Sequence, residues 1–538
     1  MSEKAGVARA AGVVGAATLV SRVMGYVRDM AMSWGFGTGA VADAFYIAYR
    51  IPNLLRELLA EGSMSAALIP VFTETLTKSG KDDARRLANA VFARFLLILL
   101  ALTVLGMIFA PYLVKALTWG WSVQADRDKY LMAVSLTRIM FPYLVFIGLA
   151  ALAMGMLNSL RSFLIPALSP VMLNIMTISA IVTSMWLLPD PIIGVAVGVV
   201  LGGLFQFLMQ MPGLRRQGMM LWPQFRPGHP GVSRIGRLSL PIFFSSSVNQ
   251  LNIFIGTVLA SYLATGSISY LFYGMRFIHF PLGIFGIAIA TAVLPTLSAQ
   301  AARGETTEFR ETLSLGLRLV FFIMFPAMAG LITLRIPIVN LLLERGQFDW
   351  VSTAGTADAV LFYAMGLWAF AGVRIVAQAY YSLQDTRTPV KIAALALAAN
   401  IILSILLMGS LQHGGLALAT SLAAMLNIGL LTRRLRKKIG RMDGRRILRS
   451  LVRIIPASAV MGIIGWWVSR DPAWKTIGEE LYKTGLLCGG IAASVVFYIG
   501  AMWLLKSEEL KFLWSIMKRK KKGSGGQGLA ANDEMAGM

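Results

Sequence analysis

The chain has 538 residues, 57% of them hydrophobic and 14% charged, with a formal charge of +24. About a quarter of a soluble domain's residues are charged, so this composition excludes an ordinary water-soluble fold, and apolar runs too long to alternate as strands exclude a membrane barrel. Nucleic acid is not the partner of the positive charge: the Lys and Arg residues lie between the apolar runs, as topology signals and contacts for membrane lipids, with no stacking aromatics among them.

Lys4 and Arg9 ahead of an apolar stretch imitate a signal peptide, yet no small-residue cleavage pattern follows, and the stretch continues through Ser21-Arg22 to Phe36. It reads as a retained first span. Further apolar stretches follow at 42–76, 86–113, 128–157, 163–188, 191–211, 235–264, 268–300, 309–333, 353–382, 389–410, 413–433, 447–468 and 478–505, which makes about fourteen transmembrane helices in an all-α polytopic membrane protein. Alternate loops differ in basicity. One set holds Lys78, Lys81, Arg85 and Arg86, then Arg215, Arg216, Arg226, Arg234 and Arg237, then Arg303 and Arg310, then Arg387 and Lys391. The other set, near Gly37 to Gly39, Pro189 to Pro191 and Ala264 to Gly266, is almost free of them. The positive-inside rule then puts both termini in the cytoplasm, which requires an even number of spans.

Ser159-Leu160 with Pro166 reappears 223 residues later as Ser382-Leu383 with Pro389, and Leu68-Ile69-Pro70 resembles Val293-Leu294-Pro295 at an offset of 225. Two echoes at nearly one offset suggest duplicated halves related by an axis along the membrane normal, with a substrate path between them. The expected organisation is a six-helix lobe over 1–212, a cytoplasmic linker at 213–234, a second six-helix lobe over 235–438, two additional helices over 439–505, and a basic, disordered cytoplasmic tail at 506–538.

The chemical signal is a set of ionisable residues inside apolar spans: Arg22, Arg28 and Asp29 in the first, Asp43, Arg50, Arg56, Glu57 and Glu61 in the second, and Arg276 in the eighth. A centrally placed Arg costs about 2.5–3.5 kcal/mol on an insertion scale unless it faces water, a partner or an anion. At about 1.5 Å per residue, Arg22 and Arg56 approach the midplane, with Arg28 and Arg276 nearer the outer side. Arg50, Glu57 and Glu61 share one helical stripe, as do Arg22 and Asp29. Ion pairs such as Arg28 with Asp29 or Arg56 with Glu57 would account for single members. The excess of Arg near the midplane calls for an anion, and the planar Arg fork suits phosphate oxygens. Gly25, Pro52, Gly62, Pro281, Gly283 and Gly286 interrupt the same spans, either for close helix packing or as hinges.

Cys488 is the single cysteine and lies in an apolar run, so no disulfide framework or thiolate metal site can form. His229, His279 and His413 are far apart in sequence and show no ligand spacing. No cofactor or metal is expected.

At these charged spans the sequence resembles the MurJ/MviN family of lipid II flippases, within the multidrug, oligosaccharidyl-lipid and polysaccharide exporter superfamily. The carriers are Ser21-Arg22-Val23-Met24-Gly25 with Arg28-Asp29, Ala42-Asp43-Ala44-Phe45, Pro52-Asn53-Leu54-Leu55-Arg56 with Ala60-Glu61-Gly62, Arg276 with Phe280-Pro281, Leu294-Pro295, Glu344-Arg345-Gly346 with Phe348, and Asp385 with Thr388-Pro389-Val390-Lys391. The resemblance implies fourteen helices whose two lobes alternate between inward-open and outward-open states around a cationic cavity. It places Arg22, Arg28, Arg56 and Arg276 against the diphosphate and sugar of an undecaprenyl-diphosphate-linked cell-wall precursor. It assigns Asp43 and Glu61 to gating or the transport cycle, beside Asp29 and Glu57 on the same spans, and the last two helices to a groove for the lipid tail. Cell-wall synthesis machinery in the inner membrane is the implied protein partner. Two positions depart from the family pattern. His279 stands where an acidic residue is frequent, and Asn249, Gln250, Asn252 and Asn400 stand where some members build a sodium site, so no sodium is expected.

Other classes remain to be weighed. A multidrug exporter of the superfamily would favour carboxylates for cationic drugs; a polysaccharide-subunit flippase would share the Arg logic. An enzyme acting on lipid diphosphates would need a catalytic group on a sizeable loop, with Glu344 and Asp349 the main acidic candidates. A purely structural scaffold would leave the intramembrane Arg set unexplained. A net cationic cavity would reset inward under a negative-inside potential, worth about 2.3 kcal/mol per charge per 100 mV.

Overall fold

Runs of about 20 apolar residues satisfy their backbone in lipid only by coiling, and in the computed structural model each of the fourteen predicted stretches is helical. The structure describes residues 3–122, 124–224, 229–476 and 478–515, with the side chains of residues up to 14, of 60–63, and of 242, 244–246, 248 and 249 outside the description. Arg226, Glu61, Asn249 and the tail from 516 onward therefore fall outside it wholly or in their side chains.

The first helices are α1 (Glu3–Phe36), α2 (Ala40–Arg56), a π-helical segment (Glu57–Met64) and α3 (Ser65–Ile108). Gly80, at φ 83°, breaks α3 into the end of the second span and the whole of the third; glycine alone takes that conformation without strain. Next come α4 (Ala110–Leu117), α5 (Arg127–Met140), α6 (Tyr143–Ser159), α7 (Leu164–Leu187), α8 (Pro191–Leu208), the short α9 (Met211–Arg216) and α10 (Pro230–Ala260). The chain continues through α11 (Ser267–Pro281), a second π segment (Leu282–Gly286), α12 (Ile287–Arg303), α13 (Thr306–Thr333), α14 (Arg335–Leu343), α15 (Trp350–Ala364), α16 (Leu367–Ser382), α17 (Arg387–Ile439), α18 (Gly444–Ser469) and α19 (Glu480–Leu504). A non-helical Gln412 splits α17 into two spans.

Among the described residues eight helical stretches are long and apolar enough to cross a membrane, α8 counted with α9 and α11 with α12, and ten when the bent pairs α5–α6 and α15–α16 each count as one. The other four stretches are α1, the charged run 40–79, α10 and one half of α17. Charge on the run 40–79 is the same feature that marks it chemically.

The chain divides into two compact units. Met1–Tyr273 with Leu342–Gly355 forms the first, where α1 packs on α7, α7 on α8, α3 on α6 and α2 on α5. Close approach of α7 and α8 depends on small residues: a Cβ at Gly198 would collide with that of Ala180. Phe72, Leu87, Leu99, Leu144 and Leu152 are among the residues that fill this unit's interior. Gly274–Leu341 with Thr356–Met538 forms the second, where α13 packs on α18, α12 and α17 on α16, and α18 on α19.

The sequence echo has a structural counterpart. The α5–α6 pair bends by 40° and the α15–α16 pair by 42°. Each pair ends in a left-handed residue, Arg161 (φ 59°) and Gln384 (φ 57°), again 223 positions apart. The two π segments begin at Glu57 and Leu282, at the other offset of 225.

Candidate functional site

Most of the intramembrane charges lie on the first unit, and they are arranged in three groups. On α1, Arg28 donates to Asp29 Oδ1 from Nε (3.1 Å) and Nη2 (2.7 Å). Both side chains are nearly buried, at 12% and 7% exposure, and they line a cavity of about 20 Å³ with Tyr46, Tyr49, Thr177 and Phe272, room for about one water. Arg22, two turns earlier on α1, is half-buried and makes no ion pair among the described residues. Asn174 of α7 donates to the carbonyl of its neighbour Ser21 (3.3 Å), which fixes this part of α1 against α7.

At the junction of α2 with the π segment, Arg56 Nε donates to Asn53 Oδ1 (2.9 Å), and Asn53 Nδ2 donates to Glu57 Oε1 (3.0 Å). Arg56 Nη2 lies 3.6 Å from the same Glu57 oxygen, and Gln250 of α10 donates a short hydrogen bond to Glu57 Oε2. A π turn inserts a residue into the helix and rotates the turns beyond it, so Glu57 opens the segment where the charged stripe is re-aimed. Both ion pairs that the sequence allowed, Arg28–Asp29 and Arg56–Glu57, are thus formed.

Asp43 makes the third group. It is 1% exposed, and its carboxylate accepts from Gly266 N (2.7 Å), Ser269 N (3.0 Å) and Ser269 Oγ (2.7 Å). A helix leaves its first amides without intrahelical acceptors, and a carboxylate is favoured at that end. Asp43 supplies it to α11 from a helix more than 220 residues away in sequence. Nearby, Lys129 of α5 bonds Asp126 (2.7 Å) and Thr265 Oγ1 (3.2 Å) and sits 4.4 Å above the Trp121 ring, so the same turn is held from a second side.

Arg276 and His279 belong to the second unit, half-buried and exposed respectively on α11. The loop acids have structural work: Asp349 Oδ1 accepts from Ser352 N (2.8 Å) at the start of α15, and Glu344 accepts from Thr353 Oγ1 (2.6 Å). Sequence reading missed Ser269 and Lys129, and it named Gln250 without its bond to Glu57. It also missed Arg318 of α13, which is 8% exposed and bonds Glu508 (2.8 Å) and Glu509 (2.9 Å). A mid-span Gln and a Gly-Ser helix start are signals; their partners lie too far along the chain to be read. Among the described residues no group of His, Cys, Asp and Glu could hold a metal ion.

Repeated bent helices, apolar outer faces and charges lodged inside the spans define a multi-pass helical membrane protein. Solved structures share this fold: an inward-facing multidrug resistance MATE family transporter of the MOP superfamily is 14% identical with a TM-score of 0.65, over 78% of this chain and 94% of its own. A lipid II flippase MurJ in an inward closed conformation is 26% identical with a TM-score of 0.76, over 91% of this chain and 99% of its own. Among curated relatives, the probable lipid II flippase MurJ of Vibrio cholerae serotype O1 is 37% identical, over 92% of this chain and 95% of its own. The lipid II flippase MurJ of Burkholderia cenocepacia is 34% identical, over 91% and 95%. Residues 32–480 match the family described as lipid II flippase MurJ, and the chain belongs to that family. It is accordingly a transporter, not an enzyme.

Proposed function

We propose that this chain moves lipid II, the undecaprenyl-diphosphate-linked disaccharide-peptide, from the cytoplasmic to the outer leaflet of the bacterial inner membrane by alternating access, supplying cell-wall synthesis. The observation that carries this is likeness over 92% of the chain to relatives named as flippases of that lipid. Arg22, Arg28, Arg56 and Arg276 bind the diphosphate and sugar. In the empty state Asp29 and Glu57 neutralise Arg28 and Arg56; an arriving diphosphate takes over those forks, because charge-assisted bidentate bonds to phosphate oxygens replace those to carboxylate. Differential contact of this kind is what shifts a two-state equilibrium. Asp43, Glu61 and His279 belong to the gates. Two six-helix lobes, 1–212 and 235–438, perform the motion, joined by the linker 213–234 and followed by the helices at 439–505. Both termini face the cytoplasm, and the enzymes of cell-wall synthesis receive the product.

Complementation of a flippase-depleted bacterium tests the reading, alongside Arg22→Ala and Arg56→Ala variants checked for membrane expression. Rescue by the parent and failure of both variants is expected; failure of a well-expressed parent would overturn it.

A further inference from the structure

The transport cycle gives no role to Arg318 of α13, which is buried and bonds Glu508 and Glu509, two carboxylates just past the last span. Desolvation offsets most of the attraction in such a buried pair, so its use is to fix one segment against another. The segment it fixes follows α19. The chain leaves that helix at a left-handed Lys506 (φ 51°), Ser507 N returns to Met502 O (3.0 Å), and Ser507 Oγ donates to Glu509 Oε2 (2.6 Å). Residues 508–515 then form a short helix, held to α13 by Arg318 and set beside α18, whose Arg453 Nη1 donates to Lys506 O (3.5 Å).

This docking gathers cations from two elements of the second unit. Arg445, Arg449 and Arg453 stand about one turn apart at the start of α18, and Lys506 and Lys511 belong to the docked segment. Among the described residues none of the five has a carboxylate partner. Arg446 of the same helix does have partners, Asp443 (3.3 Å) and Glu311 (4.0 Å). Leu448 and Val452 on α18, with Phe512 and Trp514 on the segment, are exposed beside these cations. Like charges at i, i+4 repel until an anion arrives, and exposed apolar side chains stay in contact with water until something apolar covers them. A soluble anion would answer the first need and plain hydrocarbon the second; an anion carried on hydrocarbon chains answers both.

We propose that the start of α18 and the docked segment 506–515 form a headgroup site for an anionic phospholipid of the inner leaflet, separate from the arginines that take the transported lipid. Its cations hold the phosphate, for which the Arg fork is suited, and its apolar side chains lie along the acyl chains, with Trp514 at the level of the headgroups. Arg318 is the positioning residue that keeps Lys506 and Lys511 beside α18. The choice of leaflet rests on the cytoplasmic termini proposed above. Binding is read without a transport step, so a failed complementation and a failed site are separate results.

The probe is phosphatidylglycerol, added to purified full-length protein in detergent and counted as bound lipid by native mass spectrometry, against phosphatidylcholine with the same acyl chains. The parent is compared with Arg445→Gln/Arg449→Gln/Arg453→Gln and with Lys81→Gln/Arg215→Gln/Arg216→Gln, which removes the same charge from exposed positions of the first unit. All three proteins keep the basic run Lys518 to Lys522. Phosphatidylglycerol binding at least tenfold weaker in the α18 triple variant, less than twofold changed in the other, and at least tenfold preferred over phosphatidylcholine by the parent is expected. Equal losses in the two triple variants, or a parent without preference, would overturn the site. One-for-one displacement of phosphatidylglycerol by undecaprenyl diphosphate would also overturn it, because the site would then belong to the transported lipid. If the α18 triple variant does not fold, Lys506→Gln with Lys511→Gln, both at exposed positions, should weaken phosphatidylglycerol binding at least threefold, and unchanged binding would overturn the site.

Discussion

The two halves of the chain use one scaffold for different ends. Both have a span with a π segment at matching positions, Glu57–Met64 and Leu282–Gly286, and both have a helix pair bent by about 40°. In the first half the π segment follows Arg56 and begins with Glu57, and it is preceded by Arg50 and Asp43. In the second, the matching positions are Pro281, Leu282, Met275 and Ile268. The bent geometry recurs in both halves, whereas the charge around the π segment stands in the first. Bending and re-aiming a helix is thus a property of the backbone, and the charge it carries is a property of the residues hung on it.

Several substitutions would break or sharpen that contrast. Arg22→Ala should have the largest effect, since Arg22 has no ion-pair partner among the described residues and is left for the ligand. Loss of charge-assisted bonds of about 1.5–3 kcal/mol corresponds to roughly a 10- to 150-fold drop in lipid diphosphate affinity, with melting temperature unchanged. Arg22→Lys should recover part of it, because a point charge replaces the fork. Leu282→Ala, the second-half counterpart of the Glu57 position, should act in the opposite sense. Leu282 is 4% exposed, so truncation should cost about 2–5 kcal/mol of stability, read by thermal unfolding, with transport per folded molecule preserved.

Asp43→Asn comes next. It keeps the shape but removes the charge and leaves an amide facing the α11 donors, a loss of about 1–3 kcal/mol from the contact of α2 with α11. Faster labelling of a cysteine placed at the buried Ser267 by an impermeant thiol reagent would report it. Glu57→Gln should matter less, because a half-exposed pair at 3.6 Å is worth about 0–1 kcal/mol. No more than a fivefold change in transport rate is expected.

The smallest effect is in a loop. The backbone N–H of Thr388, followed by Lys438 Nζ at 3.0 Å, holds the Asp385 carboxyl at about 2, against an ordinary 3.8. A depressed carboxylate pKa stabilises the folded form above the ordinary value, and that contribution disappears as pH falls from 3.8 through about 2. Unfolding temperature should therefore be insensitive to Asp385→Asn in its slope from pH 8 to 5, with parent and variant converging only in strong acid.

The fold was largely legible because a 20-residue apolar run has one solution in lipid, and because charge on alternate loops keeps count of the crossings. Breaks inside helices were legible where the apolar stretches stop and resume, between 76 and 86 around Gly80 and between 410 and 413 around Gln412, although nothing about Gln412 itself announces its φ of 51°. Of the site, Arg28 with Asp29 and Arg56 with Glu57 are chain neighbours, so their pairing follows from adjacency. Asp43 with Ser269 and Glu57 with Gln250 are joined only by packing, across 226 and 193 residues, and local pattern carries no information about that. Arg318 escaped notice for the same reason: its partners, Glu508 and Glu509, lie beyond the last span.

The most direct test of the central claim, that first-half arginines grip the lipid diphosphate, is binding of undecaprenyl diphosphate to the purified full-length protein and to Arg22→Ala of equal thermal stability. At least a tenfold weaker binding by the variant, with second-half Leu282→Ala unchanged in affinity, is the predicted result. Equal affinity for parent and Arg22→Ala would contradict the account.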